Sequence, residues 1–151
     1  MKPRLSILLT SWTAAQRVNQ LVTNELVAAN AWIPRFATLV MIALREPITP
    51  KALAAAMGFP PTTMSDYLAE LFDGGYVRRT PNPADGRSYL VRTTAKGRRA
   101  FERGSVASGR AQRLLEENLE RGLEEIEQAI DDLTRALDAA LAEQASALPA
   151  R

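Results

Sequence analysis

Apolar residues recur along this chain in two rhythms, helical over most of its length and strand-like in one short stretch. From Leu5, the positions Leu8, Leu9, Trp12, Ala15, Val22 and Leu26 keep the three-and-four spacing of an amphipathic helix over 5–29. A second helix begins near Pro34 and carries Phe36, Leu39, Val40, Ala43 and Leu44. It ends before Glu46-Pro47, because a residue ahead of proline is pushed out of the helical region. Thr49-Pro50 is a capping residue followed by proline at the first helical position, and Leu53, Ala54, Ala56 and Met57 continue the helix to Met57. Gly58 stops it and Pro60-Pro61 cannot prolong it; helical spacing resumes at Met64, Leu68 and Leu71, defining a helix over Pro61 to Asp73. After Gly74-Gly75 the rhythm changes. Tyr76 to Thr80 and Ser88 to Thr93 are rich in β-branched and aromatic residues and flank an Asp85-Gly86 turn signal, predicting a hairpin tipped by Asn82-Pro83-Ala84-Asp85-Gly86-Arg87. Thr94 then caps a helix from Ala95 to about Asn118, and a last stripe runs through Leu123, Ile126, Ile130, Leu133, Leu137 and Leu141.

Helix, tight turn, helix, then hairpin is the order of a winged helix-turn-helix, so the expected fold is mainly α with a small β-hairpin wing. We expect one domain over 1–151, with the winged core at 34–93 and long flanking helices at 5–29 and 95–145. The core needs only the middle of the chain. The flanking stripes must be buried elsewhere, on a second copy or, alternatively for the last stripe, in a hairpin on the chain itself.

The chain has no cysteine and no histidine, which removes disulfides, thiol chemistry, imidazole bases and the usual zinc or copper ligand sets. No cofactor and no metal site is expected, and carboxylates after Glu116 read as a solvated helix face rather than an enzyme's site. Lys2 and Arg4 precede a short apolar run, Leu5 to Leu9, that Thr10, Ser11 and Trp12 interrupt, so neither a signal core nor a membrane span is expected and the location is read as cytoplasmic. Net charge is only +2 but unevenly placed: Gly75 to Arg103 holds eight basic residues against two acidic, and Gly104 onward five basic against ten acidic. Cations concentrated on a wing suit the phosphates of duplex DNA, and the acidic end should point away.

Leu53-Ala54, Gly58, Leu71, Gly75-Tyr76-Val77-Arg78-Arg79, Asp85-Gly86-Arg87, Thr94 and Gly97 stand at the spacing of the MarR family of bacterial transcription regulators, which this sequence resembles. The resemblance implies a homodimer that interleaves first and last helices, with Leu5, Leu9, Trp12, Ile126, Ile130, Leu133, Leu137 and Leu141 as its seam. It implies a repressor bound to a pseudo-palindromic operator in double-stranded DNA, with Arg87 in the minor groove and Arg78 or Arg79 on the adjacent backbone. Asp85 is to brace the hairpin by pairing with a wing arginine, with Gly86 in the turn. It also implies a small aromatic or phenolic ligand between the dimer helices and the winged domain, for which Trp12, Trp32, Phe36 and Met41 are the apolar candidates and Arg17 or Arg35 the partners of a carboxylate.

On Pro61 to Asp73 the helical period turns Thr62, Thr63, Ser65 and Asp66 outward, and these are the candidate DNA-reading residues. Here the chain departs from the family pattern. Pro60 stands where a capping serine is common, basic residues near Pro61 and Asp66 are missing, and the helix holds no lysine or arginine at all. A second departure, Thr93 for an apolar residue, predicts a less firmly held wing sheet. The competing reading from another class is a winged dimer that serves as a protein-interaction module without sequence-specific DNA binding.

Overall fold

The computed structural model describes residues 6–147. Six helices and one hairpin follow in the order α1 (Ile7–Ala28), α2 (Phe36–Arg45), α3 (Pro50–Met57), α4 (Pro61–Asp73), β1 (Val77–Pro81), β2 (Tyr89–Thr93), α5 (Ala95–Glu116) and α6 (Leu123–Ala147). Two compact units divide within α5, Met1–Ala111 and Gln112–Arg151.

The helix boundaries follow local chemistry. The Ser6 hydroxyl accepts the Leu9 N–H and opens α1; the Thr49 hydroxyl accepts the Ala52 N–H at 3.1 Å and opens α3. Gly58 ends α3 with φ at 66°, a left-handed backbone that costs glycine nothing. α4 has proline at its cap position and no side chain capping its first amides. Leu39, Ile42, Leu53, Met64, Leu68, Leu71 and Val91 are fully buried, so the core of the first unit lies where α2, α3 and α4 meet β2.

β1 and β2 pair antiparallel with Val77 opposite Thr93 and Pro81 opposite Tyr89, and Ile48 adds a short bridge to Val91 from the far side of β2. Thr93 is 3% exposed, and both its N–H and its hydroxyl donate to the Glu46 carboxylate at the end of α2. Arg98 lies 3.7 Å from the same carboxylate. The expected loosening at Thr93 is therefore wrong: a hydroxyl with a matched buried acceptor ties β2 to α2, where an apolar side chain would leave that carboxylate short of donors.

The start of α5 is fixed to the residues that lead into β1 by close approach. Thr94 N–H donates to the Tyr76 carbonyl at 3.0 Å, its hydroxyl donates to the Gly75 carbonyl at 2.7 Å, and that hydroxyl accepts the Gly97 N–H at 3.0 Å. A Cβ at residue 97 would sit 1.9 Å from the Tyr76 oxygen, so only glycine fits. Further along α5, Gly104 makes room for the Phe36 ring, and Ala100, Ala107 and Ala111 continue a buried face of small residues. Arg110 pairs with Glu25 of α1 at 3.1 Å.

In the second unit α6 is regular over 25 residues, yet none of them is buried. Ile130 is 57% exposed and Leu141 61% exposed, with Leu137 also exposed and Ile126 and Leu133 half-buried.

Two substitutions test the joints around the hairpin. Thr93→Val should lower unfolding free energy by about 1–3 kcal/mol in chemical denaturation, since it removes the hydroxyl donor of the Glu46 carboxylate. Gly97→Ala should cost about 3 kcal/mol or prevent folding, because backbone must move to admit the methyl group.

Candidate nucleic-acid interface

The wing tip lies between Pro81 at the end of β1 and Tyr89 at the start of β2. Gly86 does not have a positive φ, and a Cβ there would meet nothing within 4 Å, so the wing-stabilising part expected of Gly86 has no geometric basis. Side chains shape the loop instead. Asn82 accepts the Ala84 N–H at 3.1 Å through its carbonyl and donates from its amide to the Ser88 hydroxyl at 2.7 Å. The Asp85 carboxylate accepts the Arg87 N–H at 3.0 Å, and the Asp85 carbonyl accepts the Ser88 N–H at 3.0 Å. Asp85 thus braces the tip through backbone, not by the expected ion pair: among the described residues no arginine pairs with it. That backbone bond holds Arg87 with its side chain exposed at the end of the hairpin.

The two other expected wing cations part company. Arg78 is exposed, but the guanidinium of Arg79 stacks 4.7 Å from the ring centroids of both Phe72 on α4 and Tyr89 on β2. Arg79 is a clamp between wing and helix, with its charge offered to two π faces. Arg92 stands directly opposite Arg78 in the register and is half-buried; among the described residues neither has a carboxylate within ion-pair distance. Like charges placed across an antiparallel pair repel, so this face of the hairpin is left short of an anion. In the sequence Arg92 is one of the eight cations between Gly75 and Arg103; the strand register is the signal that sets it against Arg78.

On α4, Met64, Leu68 and Leu71 are buried, Thr62, Ser65 and Asp66 are exposed and Thr63 is half-buried. The Ser65 hydroxyl donates to the Pro61 carbonyl at 3.0 Å, which leaves it an acceptor toward any partner. A groove of about 370 Å³ between the start of α3 and the wing is lined by Thr49, Lys51, Asn82, Asp85, Arg87 and Tyr89, so Lys51 joins Arg87 on the same side. Lys51 was absent from the expected set because it belongs to a different element of the sequence.

A larger crevice of about 610 Å³ opens within the first unit, against α1, α2 and α4. Trp32, Arg35 and Phe36 line it, together with Val22, Met57, Phe59 and Tyr67. The other expected pocket residues do not. Trp12 is 61% exposed and Arg17 is exposed, neither among the α1 residues of the lining, while Met41 packs against the core. Helical spacing put all of them on apolar or mixed faces without telling which face meets the crevice. Arg35 is also engaged: its Nη2 is 2.7 Å from Glu70 Oε1, and its guanidinium carbon lies 3.9 Å from the Tyr67 ring centroid. The bond from Glu70 holds Arg35 more firmly protonated than an ordinary arginine. Of the expected dimer seam, Leu9 and Trp12 are exposed on α1, the α6 residues stand as described above, and Leu5 lies outside the described residues.

Among the described residues no group of three or more acidic residues is placed to hold a metal ion, and no helix is long and apolar enough to cross a membrane.

Residues 33–88, from the start of α2 to the wing tip, match the model of the MarR family. An HTH-type transcriptional regulator of Mycobacterium tuberculosis is 35% identical over 65 residues, which is 43% of this chain; the matched part spans 46% of that relative's length. Among solved structures, the M. tuberculosis transcriptional regulator MosR in complex with DNA superposes with a TM-score of 0.78 at 26% identity, covering 90% of this chain and 98% of the other. CouR of Rhodococcus jostii RHA1, bound to p-coumaroyl-CoA, shares the fold with a TM-score of 0.70 at 22% identity, covering 87% of this chain and 91% of the other. The matched stretch is the one that builds the helix-turn-helix and carries the wing, and the fold agrees beyond it on both sides. Residues 33–88 are thus similar to the MarR family, and the fold over nearly the whole chain is that of winged helix-turn-helix transcription regulators.

Proposed function

We propose that this protein is a homodimeric repressor that binds a pseudo-palindromic operator in double-stranded DNA and is released by a small aromatic ligand in the crevice beside Trp32 and Phe36, acting in the cytoplasm. The observation that carries the reading is the wing: Arg87 is displayed by a backbone-braced tip, with Lys51 on the same groove and the unneutralised pair Arg78 and Arg92 along the strands. MosR, the neighbour solved with DNA, supports it.

The division of labour differs from a helix-dominated reader. The exposed face of α4 offers hydroxyls and one carboxylate, so Asp66 accepts from a cytosine amino group or stays clear of phosphate, and Thr62 and Thr63 donate. Affinity comes from the wing, where an arginine reads the width and negative potential of the minor groove and favours A·T-rich flanks. Arg79, clamped on two rings, positions the wing rather than touching phosphate.

The exposed stripes on α1 and α6, which water disfavours on a folded chain, support dimerisation. A two-fold pair would set two recognition helices about 34 Å apart, on successive major grooves. CouR, a protein of this fold with a bound aromatic thioester, supports a ligand in the crevice.

The cation-free α4 favours a second reading, a winged module for a protein partner. Salt separates the two, since only duplex binding releases condensed counterions in proportion to the phosphates neutralised.

Arg87→Ala should weaken binding to every duplex roughly tenfold and reduce the slope of log affinity against log salt by about 1, with folding and dimerisation intact. Unchanged anisotropy titrations would remove the wing from the mechanism. Leu133→Asp should give monomers or unfolded chain in sedimentation, because it buries a charge in the proposed seam; a folded dimer would sink that seam.

A further inference from the structure

Lys96 meets the recognition helix at the end farthest from its exposed hydroxyls. In the sequence it is one of the eight cations between Gly75 and Arg103, yet its Nζ donates to the Gly74 carbonyl at 2.6 Å and lies 4.6 Å from the Tyr76 ring centroid. Gly74 caps the C-terminus of α4. Among the described residues no backbone N–H reaches its carbonyl, so the ammonium satisfies an acceptor that the helix end leaves open and sits at the negative end of the helix dipole. The ring beside the ammonium is fixed in turn. A Cβ at residue 74 would lie 2.6 Å from it, and the Tyr76 carbonyl accepts the Thr94 N–H at 3.0 Å.

Two other cations hold α4 from outside, and both hold the same half. Arg79 of β1 stacks on Phe72, and Arg35, ahead of α2, forks onto Glu70 and covers the Tyr67 ring. The three ties come from different elements and take hold between Tyr67 and Gly74. At the N-terminal half Thr62, Ser65 and Asp66 stand exposed, the cap position is proline, and no side chain caps the first amides. Thr62 and Gly74 are about 18 Å apart along the axis, so about 3° of tilt at one end moves the other by about 1 Å, more than a hydrogen bond to a base edge tolerates.

We propose that Lys96 is a positioning residue for base reading: it sets the tilt of α4 from the far end and neutralises no phosphate. The inference rests on the reading that α4 sits on DNA. Arg87 acts at the duplex and Lys96 acts through the helix, and the two differ in what their loss removes. Loss of a phosphate contact weakens every duplex and lowers the salt slope, whereas loss of a positioning contact weakens only the duplex whose bases are read.

Lys96→Met tests this on the full chain, keeping a hydrocarbon stem beside Tyr76 without the charge or the donor. In anisotropy its affinity for duplex from the protein's own upstream region should fall about three- to tenfold, within the range of coupling carried by residues that touch neither ligand. Affinity for a scrambled duplex and the slope of log affinity against log salt should stay at wild-type values. Lys96→Arg, which keeps donor and charge, should recover most of the loss, and Lys96→Gln gives the same readings where Lys96→Met does not fold. In the free protein, amide exchange over residues 71–76 should quicken in Lys96→Met. A contact that only stabilises the fold would lower the thermal midpoint and leave the ratio of native to scrambled affinity alone; an unchanged ratio, or a flatter salt slope, overturns the proposal. If the wild type itself does not prefer the native duplex, the reading of α4 on DNA falls, and exchange alone decides the tie: faster amides uphold it and unchanged amides overturn it.

Discussion

A two-stranded hairpin does not hold its shape in water on its own, and this chain hangs an exposed arginine, Arg87, on one. Everything that makes Arg87 useful depends on how β1 and β2 are tied to the helices. Four ties do it, each from a different direction. Val91 is buried and bridged by Ile48, Thr93 gives both its donors to Glu46, Gly97 packs its bare backbone against the Tyr76 carbonyl, and Arg79 stacks between rings of α4 and β2. Beyond Pro81, Asn82 and Asp85 brace the tip with local hydrogen bonds. The result is a rigid arm with a charged end, which is what insertion into a narrow groove requires.

Much of this was legible in the sequence, because helix caps and stops are local. The starts at Pro50 and Pro61 and the stop at Gly58 are chemistry within three or four residues, and the buried face of α4 follows from period alone. What could not be read depends on pairs distant in sequence. Thr93 looked like a weakness until its acceptor, 47 residues earlier, was in place. Arg79 looked like a phosphate contact, yet the rings that hold it come from two different elements. The tip from Asn82 to Arg87 was legible, but its bracing comes from side chains that an Asp-Gly signal does not count. In the crevice, Trp32, Arg35 and Phe36 are together because the turn into α2 brings them there, whereas Trp12, Arg17 and Met41 share only composition with that wall.

The recognition helix is both poor in cations and bound to its surroundings on two sides, by Phe72 through Arg79 to the wing and by Glu70 and Tyr67 through Arg35 to the crevice. A helix that offers hydroxyls and a carboxylate to DNA gains little from phosphate attraction, so its contribution depends on being held at the right depth by its neighbours. In this reading the wing supplies affinity and the ties supply register. A change at either tie would then alter DNA binding without touching DNA.

On this reading a wing-led interface with a cation-poor recognition helix still selects a sequence. The most direct measurement is fluorescence anisotropy of the full chain against duplex from its own upstream region and a scrambled duplex of the same composition, at two salt concentrations. The account predicts tighter binding to the native duplex, and affinity for both that falls steeply as salt rises. Equal, salt-insensitive or absent binding to the two would contradict it and leave the winged dimer as a platform for a protein partner.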